Sequence, residues 1–350
     1  HSAQGVGQTS QVGTDVADTT VESVIIDSCI DALDELIVVY YDCTDETLQV
    51  LEEKKRLYPE KLKIYSYNHD VLSFDMTREE FEYTKTLPDD SPRLYCNLCN
   101  FGLSKMQYKY AMKIDADQIY FADEIKKWRD VCCGNNTVKW HYSFILGYIF
   151  TTYFSLYRRL SLKFNRPILW LLPNSLISFI IDKYLNLAKW KLLQGKVCIA
   201  LSGVNLFKDD KWYIPFDKYN IHPPYNGEGD TVIFKLSEET YYSRRYSDKI
   251  TYSCTELFHQ PYKMMFAGPV WFHLHANRTY CVEKVRKVKK EHPELFVLVD
   301  DFLKMSYKDV LKKMDPQVNT LYQRILFALV HKMGLNTIRK HLPLLEKIKI

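Results

Sequence analysis

The interpretation of the whole chain starts from one stretch, Tyr108-Lys-Tyr-Ala-Met-Lys-Ile-Asp-Ala-Asp-Gln-Ile-Tyr-Phe121. Its apolar residues indicate a short buried strand that ends at two carboxylates, Asp115 and Asp117. Side chains two positions apart on a strand point to the same face. Two carboxylates on one face repel each other unless a cation lies between them or water surrounds them. The pair therefore indicates either a solvated turn or a site for a divalent cation.

The composition is typical of a globular protein with one large domain or two. The 350 residues are 47% hydrophobic and 26% charged, with a formal net charge of only +4, so we expect no nucleic-acid partner. Nine scattered cysteines in so long a chain indicate free thiols in a reducing cytoplasm rather than a disulfide scaffold. The single Cys96-Asn-Leu-Cys99 pair is more typical of half-buried cysteines than of a metal site.

Helices and strands alternate through the first third of the chain. Apolar spacing predicts a helix over 19–33, a strand over 36–41, a helix over 46–57, a strand over 61–67, a helix over 94–106 and a strand over 108–114. This alternation is typical of a doubly wound α/β fold with a mostly parallel sheet. Residues 1–20 are polar and glycine-rich, and we expect a loop whose preceding strand lies upstream of the sequence, or a flexible start.

The middle of the chain differs in composition, because it contains two uncharged runs, over residues 142–157 and 167–181. Each is about 15 residues, shorter than the roughly 20 that a membrane-spanning helix needs. They predict either buried helices or an acceptor-facing insertion, or else a patch that enters a bilayer surface beside basic residues. The basic segment 321–350 leaves a similar choice, between a core-packing helix and one resting on anionic lipid.

Three later segments carry further candidate residues. An apolar strand over 197–207 is interrupted at Ser202-Gly203, where a backbone can approach a ligand closely. The Gly- and Pro-rich residues 209–230 predict a lid or a surface loop, and they end in Asn226-Gly-Glu-Gly-Asp230. His273 and His275 follow on one side of an extended segment.

In this order, the features resemble the GT-A-fold, nucleotide-sugar-dependent glycosyltransferases of the bacterial inverting type. The run Ile37-Val-Val-Tyr-Tyr-Asp-Cys-Thr-Asp-Glu-Thr47 resembles the family's first nucleotide-binding turn, although Tyr40 and Tyr41 replace its usual acidic pair. Asp115-Ala-Asp117 resembles the family's metal-binding Asp-x-Asp, and the likeness covers roughly residues 19–280. It implies a Rossmann-like, mostly parallel sheet of the GT-A type, with a helical C-terminal extension.

The resemblance implies a metal-dependent hexosyltransferase. It would move a sugar from a nucleotide-diphosphate donor, a UDP-sugar in our interpretation, to a hydroxyl of a glycan or lipid-linked acceptor, with inversion. The product would belong to cell-surface polysaccharide or lipopolysaccharide. Residues 1–285 would form the catalytic domain, with 142–195 as an insertion facing the acceptor or a membrane, and 286–350 a basic helical extension. We expect a cytoplasmic protein, peripheral on the inner face of an anionic membrane.

The resemblance also assigns roles to individual residues. Asp117, Asp115, His275 and His273 would hold Mn²⁺ or Mg²⁺. Asp230, with Glu228 in reserve, would be the base that takes the acceptor's proton. The nucleotide sugar would be bound by Asp42, Asp45, Lys113, Asp115, Ser202 and Gly203.

Two other functions stay open at this point. A nucleotidyltransferase, or another nucleotide-binding α/β enzyme, would share the sheet and the metal pair. Such an enzyme usually carries Arg or Lys in a glycine-rich loop after its first strand, and Gly5, Gly7 and Gly13 lack basic neighbours. A non-enzymatic interaction protein is the third possibility, and divalent-dependent nucleotide binding would separate it from the other two.

Overall fold

The computed structural model describes residues 3–8, 19–41, 43, 46–74, 76–134, 139–165, 174–219, 221–227, 231–248 and 252–348, with backbone alone at 3–8, 19–22, 174–178 and 279–280. The helices are α1 (Thr19–Cys29), α2 (Thr47–Leu57), α3 (Arg78–Thr86), α4 (Tyr95–Ser104), α5 (Ala122–Cys132), α6 (Phe144–Lys163), α7 (Asn174–Leu193), α8 (Thr279–Glu291), α9 (Val299–Phe302), α10 (Tyr307–Lys313) and α11 (Leu321–His341). The strands are β1 (Ala3–Gln8), β2 (Glu35–Tyr40), β3 (Leu62–Ser66), β4 (Tyr110–Asp115), β5 (Gln118–Tyr120), β6 (Val197–Asn205), β7 (Phe207–Lys208), β8 (Trp212–Pro215), β9 (Tyr225–Asn226), β10 (Val232–Lys235), β11 (Tyr241–Ser247), β12 (Ser253–His259), β13 (Lys263–His273) and β14 (Phe296–Leu298).

One mixed sheet organises the part of the chain that the structure describes. Its strand order is β3-β2-β1-β4-β10-β6-β13-β5, and β9 pairs with β6 beside this path. The first four strands are parallel, as are β6 and β13. However, β10 runs antiparallel to both β4 and β6, and β5 runs antiparallel to β13. The expectation of a mostly parallel sheet is corrected accordingly: the protein is mixed α/β with a helical C-terminal region.

The expectation for the first twenty residues is also corrected. Residues Ala3–Gln8 form β1, which lies between β2 and β4 and pairs with both in parallel. The strand was missed because Ala-Gln-Gly-Val-Gly-Gln contains one β-branched residue and two glycines, which strands usually avoid. The segment is extended because it pairs with a strand on each side, which its local sequence does not indicate.

Both faces of the parallel half are covered, which explains its continuous apolar runs. In β2, Leu36 and Val38 pack into the main core, which also contains residues of α1, α5 and α11. Ile37 and Val39 point to the other face and pack with residues of α4 and β12. The alternation is that of any strand, but here both sets of side chains are buried.

The carboxyl ends of three strands meet at one edge of the sheet. β4, β6 and β13 run in the same direction, because β10 is antiparallel to β4 and β6 while β6 and β13 are parallel. Their last residues are Asp115, Asn205 and His273. This is the edge at which open α/β sheets bind their ligands.

The terminal helix α11 packs in the core. It begins at Thr320, whose side chain accepts a hydrogen bond from the backbone of Gln323. Ten of its residues are buried, and a Cβ built at Gly334 would lie 2.0 Å from the Pro269 side chain of β13. Of the two alternatives for the basic C-terminal segment, the structure therefore shows a core-packing helix. The domain division at residue 285 stays a prediction.

The described parts of the two uncharged runs lie in or next to the helical pair α6 and α7, whereas residues 167–173 lie outside the described residues. The two helices pack closely enough that a Cβ on Gly147 would lie 2.9 Å from the Lys183 carbonyl. Among the described helices, none combines the length and apolar character needed to cross a membrane.

Candidate functional site

The carboxylate of Asp117 is the centre of the candidate site. It is almost fully buried in the turn between β4 and β5. His273 Nε2 lies 3.0 Å from its Oδ2, and His275 Nδ1 lies 3.3 Å from the same oxygen. Arg278 Nη2 also approaches this oxygen, at 3.0 Å. Asp117, His273 and His275 form the group of possible metal ligands found among the described residues.

Strand pairing brings these side chains together. β13 pairs antiparallel with β5, which places His273 opposite Gln118, next to Asp117 in the chain. The backbone N–H of Leu274 donates to the Asp117 carbonyl over 2.8 Å. A short 3-10 helix, His275–Asn277, then turns the chain so that His275 and Arg278 also reach Asp117. The sequence prediction that the Asp-x-Asp and the two histidines belong together agrees with this geometry for Asp117, His273 and His275.

Asn205 fixes which nitrogen of His273 carries the proton. The Asn205 Nδ2 group donates to the Pro223 carbonyl over 2.6 Å, so the Asn205 Oδ1 faces His273 Nδ1 as an acceptor. His273 Nδ1 must therefore carry a hydrogen, and in the neutral ring Nε2 presents a lone pair to Asp117 Oδ2. Two electron pairs at 3.0 Å require a proton or a metal ion between them. The donor set thus fits a divalent cation.

The charges around Asp117 favour its ionised form. Burial would raise the pKa of Asp117, but Arg278, His273 and the imidazole hydrogen bonds outweigh it and hold that pKa well below its ordinary value. Burial lowers the pKa of His275, and Arg278 lowers it further against the opposing hydrogen bond and charge of Asp117. An ionised carboxylate beside a neutral imidazole is the protonation state in which both groups bind metal.

Asp115 faces a different set of partners. Its Oδ1 lies 3.3 Å from Lys113 Nζ, and its Oδ2 accepts a hydrogen bond from Gln118 over 3.0 Å. Lys113 also pairs with Glu256 of β12 at 2.8 Å. Burial, together with the carboxylates of Asp117 and Glu256, raises the pKa of Asp115 despite the opposing effect of Lys113. Asp115 lies at the same sheet edge but is not in the metal-ligand group; its predicted roles stay predictions.

Ser202 and Gly203 lie inside the sheet. Ser202 is fully buried, and its hydroxyl donates to the Gly227 carbonyl over 3.3 Å. A Cβ on Gly203 would lie 1.7 Å from the Trp271 indole nitrogen, so the close approach that requires glycine there is made by a neighbouring side chain. Their predicted contact with a nucleotide sugar is untested.

Four predicted residues lie outside the described residues. These are Asp42 and Asp45 of the predicted nucleotide turn, the predicted base Asp230 and its reserve Glu228. Gly227, just before the latter pair, has φ +87°, and its Cβ would lie 2.4 Å from the Leu201 carbonyl. Only glycine fits this turn without strain.

Sequence reasoning assigned no role to Arg278, Asn205 or His222. The His222 ring centroid lies 4.7 Å from that of His275 and 6.0 Å from that of His273. Burial, and then His275 and His273, hold the pKa of His222 well below its ordinary value, so its imidazole is neutral. A polar residue at the end of a predicted parallel strand could have indicated Asn205. His222, in an irregular Pro-rich segment, gave no such signal.

Comparisons with known proteins add little. No protein-family model matches the chain, and no curated protein matches it in sequence. Among solved structures, the chain is similar to the crystal structure of S. aureus TarS 1-349, with a TM-score of 0.30 and 10% sequence identity over 97% of this chain and 91% of that chain. A TM-score this low does not establish a shared fold.

Proposed function

We propose that the protein is a glycosyltransferase that uses a divalent cation and a nucleotide-diphosphate sugar. The acceptor would be a hydroxyl of a glycan or lipid-linked molecule in cell-surface polysaccharide synthesis, and the donor a UDP-sugar. The observation that carries this proposal is the cluster of Asp117, His273 and His275 at the carboxyl edge of the sheet, in which His273 Nε2 lies 3.0 Å from Asp117 Oδ2. His275 completes a carboxylate and imidazole set that suits Mn²⁺ somewhat better than Mg²⁺.

The surrounding residues provide for a diphosphate leaving group. A bound divalent ion would neutralise the charge that develops on the diphosphate as the sugar departs. The Arg278 guanidinium already lies in the site and can donate two parallel hydrogen bonds to phosphate oxygens once the ion takes Asp117. His222 lies beside His275 as a neutral imidazole, where it can join the ligand set or close the site against water.

The proposed roles on the acceptor side come from the sequence alone. In this proposal Asp230, with Glu228 in reserve, takes the proton from the acceptor hydroxyl as that oxygen attacks the anomeric carbon. Attack from the side opposite the diphosphate would invert the configuration. Asp115, 27% exposed at its side chain, is the group proposed to accept hydrogen bonds from the ribose.

Metal-dependent thermal stabilisation by UDP-, GDP-, CMP- and dTDP-sugars tests the proposal. At least one nucleotide sugar should raise the melting temperature with Mn²⁺ and not with EDTA. Asp117→Ala should abolish this shift and weaken Mn²⁺ binding, measured by calorimetry, by more than the 10–100-fold that loss of a supporting residue costs. Asp182→Ala, on the exposed part of α7, is the matched control and should leave both unchanged.

Each outcome has a definite meaning. If no nucleotide sugar gives a metal-dependent shift, the proposal is wrong. If nucleoside triphosphates together with sugar phosphates stabilise the protein instead, a nucleotidyltransferase becomes the better assignment. Release of nucleoside diphosphate only when an acceptor glycan is added would identify the reaction as transfer.

A further inference from the structure

Helix α6 exposes an apolar face that no described residue covers. Its buried side consists of Phe144, Gly147, Phe150, Tyr157 and Ser161. The large apolar side chains on the opposite side are between 37% and 55% exposed, and they are Ile145, Tyr148, Ile149, Leu156 and Leu160. They recur at intervals of three, four and seven residues, so they form one stripe along the helix.

Exposed aromatic residues flank α6 at both ends. Trp140 and Tyr142, just before the helix, are 57% and 70% exposed, and Phe164, just after it, is 56% exposed. From Ile145 to Leu156 the stripe is roughly 16 Å long, at 1.5 Å per residue. Soluble proteins seldom expose so continuous an apolar patch unless it binds something.

The charges in α6 and its flanking residues are all of one sign. Residues 139–165 contain Lys139, Arg158, Arg159 and Lys163 and no Asp or Glu. Arg159 and Lys163 are exposed on the same face as the stripe, one turn and two turns beyond Leu156. The Lys191 ammonium from α7 lies 4.4 Å from the centre of the Tyr148 ring. An apolar face bordered by cations is complementary to a surface that is apolar inside and anionic outside.

We propose that this face of α6 docks the protein on an anionic lipid bilayer. The apolar side chains would enter the boundary between headgroups and acyl chains, and Arg159 and Lys163 would meet the anionic headgroups. Trp140, Tyr142 and Tyr148 have the amphipathic rings that are enriched at this depth. The helix lies on the surface rather than across the bilayer, because its other side packs against the protein. This inference does not depend on the nucleotide-sugar activity.

Vesicle flotation of the full chain tests the proposal without any nucleotide or metal. The protein should float with phosphatidylcholine vesicles that contain roughly one quarter phosphatidylglycerol, and at least about tenfold less with pure phosphatidylcholine. The double variant Ile145→Ser/Ile149→Ser should reduce binding by on the order of tenfold. Arg159→Gln/Lys163→Gln should reduce it too, and should remove most of its dependence on salt.

Helix α2 supplies matched controls, because it exposes two leucines and two cations that form no apolar stripe. Leu48→Ser/Leu57→Ser removes two exposed leucines, and Lys55→Gln/Arg56→Gln removes two exposed cations. Neither should change vesicle binding. Circular dichroism and the melting temperature check that each variant is folded. Should an α6 variant misfold, quenching of Trp140 by brominated lipid tests the wild-type protein directly, with Trp140→Phe as the blank.

Four outcomes would overturn the proposal. The first is a wild-type protein that floats with no vesicle, and the second is equal binding to neutral and anionic vesicles. The third is binding that the α6 variants leave unchanged. The fourth is a wild-type dimer that binds no lipid and becomes monomeric in Ile145→Ser/Ile149→Ser, because a second copy of the chain would then be what covers the stripe.

Discussion

Asp115 and Asp117 lie two residues apart, yet the protein surrounds their carboxylates with opposite environments. Asp115 faces Lys113 of the same strand, and Glu256 contacts Lys113 as well. Asp117 faces two imidazoles and Arg278. Burial and two carboxylates raise the pKa of Asp115 against the effect of Lys113, whereas the cationic and hydrogen-bonding partners of Asp117 overcome burial and lower its pKa.

The difference separates an internal ion pair from an open ligand set. Burial would lower the pKa of Lys113, but Asp115 and Glu256 outweigh it and raise that pKa, so Lys113 stays a cation. The positive charge of Lys113 thus neutralises Asp115 and Glu256 without any added ion. In contrast, the His273 lone pair beside Asp117 is satisfied only by something added, a proton or a metal ion. Two carboxylates of one motif therefore serve different purposes, and variants can separate them.

The largest effect is expected where the internal cation is removed. Lys113→Met leaves the half-buried carboxylates of Asp115 and Glu256 without their counter-charge, and breaking such a pair costs up to about 3–5 kcal/mol. Urea unfolding at pH 7 measures the loss. The exposed Lys109→Met, one residue before β4, is the matched control and should cost far less. A loss below about 1 kcal/mol for Lys113→Met would show that the pair is solvated and that the comparison fails.

The next effect concerns the open ligand set. Asn205→Leu removes the acceptor that fixes the His273 tautomer, so Mn²⁺ affinity should fall about 10–100-fold. Asn205→Asp keeps an acceptor facing His273 Nδ1 but loses the donor to the Pro223 carbonyl, so it should weaken Mn²⁺ binding less than Asn205→Leu even if it costs as much stability, which distinguishes positioning from mere packing. Asp115→Asn should change metal affinity far less than either. Equal losses for Asp115→Asn and Asn205→Leu would contradict the separation of the two carboxylates.

A third carboxyl, Asp217, extends the comparison to a group with no ion pair among the described residues. Its Oδ1 is buried without a hydrogen-bond partner, and burial raises its pKa to about 7. The folded state then holds a proton that the unfolded state releases, so stability should fall as the pH rises from about 4 to about 7. Asp217→Asn should remove this slope and be about 1–2 kcal/mol more stable than the wild type at pH 8.

Unfolding free energies at pH 4 and pH 8 test this. The two proteins should nearly coincide at pH 4 and separate at pH 8. If the wild type is the more stable protein at pH 8, Asp217 is ionised there through a contact that favours its charge.

The smallest effect is expected at Asp123, which has partners like those of Asp117 but in an exposed position. Lys340 and His341 bond its carboxylate. Burial raises its pKa, but these two partners outweigh it and lower the pKa to about 2. The ion pair thus adds stability above about pH 4, which is lost as the pH falls towards 2. Asp123→Asn should cost about 0.5–1 kcal/mol at pH 7, since solvent screens the pair.

Thermal unfolding of wild type and Asp123→Asn across this pH range is the measurement. Their difference should shrink to nothing near pH 2. A difference that is constant with pH would mean that packing, and not charge, accounts for it.

Local signals in the sequence placed six elements in the first third of the chain and one strand near residue 200. The strands ending at Asp115 and Asn205, and the helix before the first of them, were predicted from apolar runs and helical spacing, and the structure confirms them within a few residues. The family resemblance implied that His273 and His275 lie beside Asp117, and the three side chains do lie together, although His275 begins a 3-10 helix rather than continuing the extended segment.

What the sequence did not indicate depends on pairing between distant segments. The antiparallel insertion of β10 between β4 and β6 makes the sheet mixed, and no local pattern in Val232–Lys235 distinguishes it from a parallel strand. The glycine-rich β1 is a strand because both its neighbours pair with it. His222 comes near the histidines only through the fold of an irregular segment.

The contact of Gly334 with Pro269 links the last long helix to the site. Pro269 lies at an irregularity of β13, four residues before His273, and no side chain larger than hydrogen fits on Gly334 without moving it. In a genetic screen for lost activity, substitutions at Gly334 would therefore be recovered although this residue touches no ligand. Suppressors would be expected at Pro269 rather than among the residues around Asp117. The activity of the site would thus depend on a helix that contributes no residue to it.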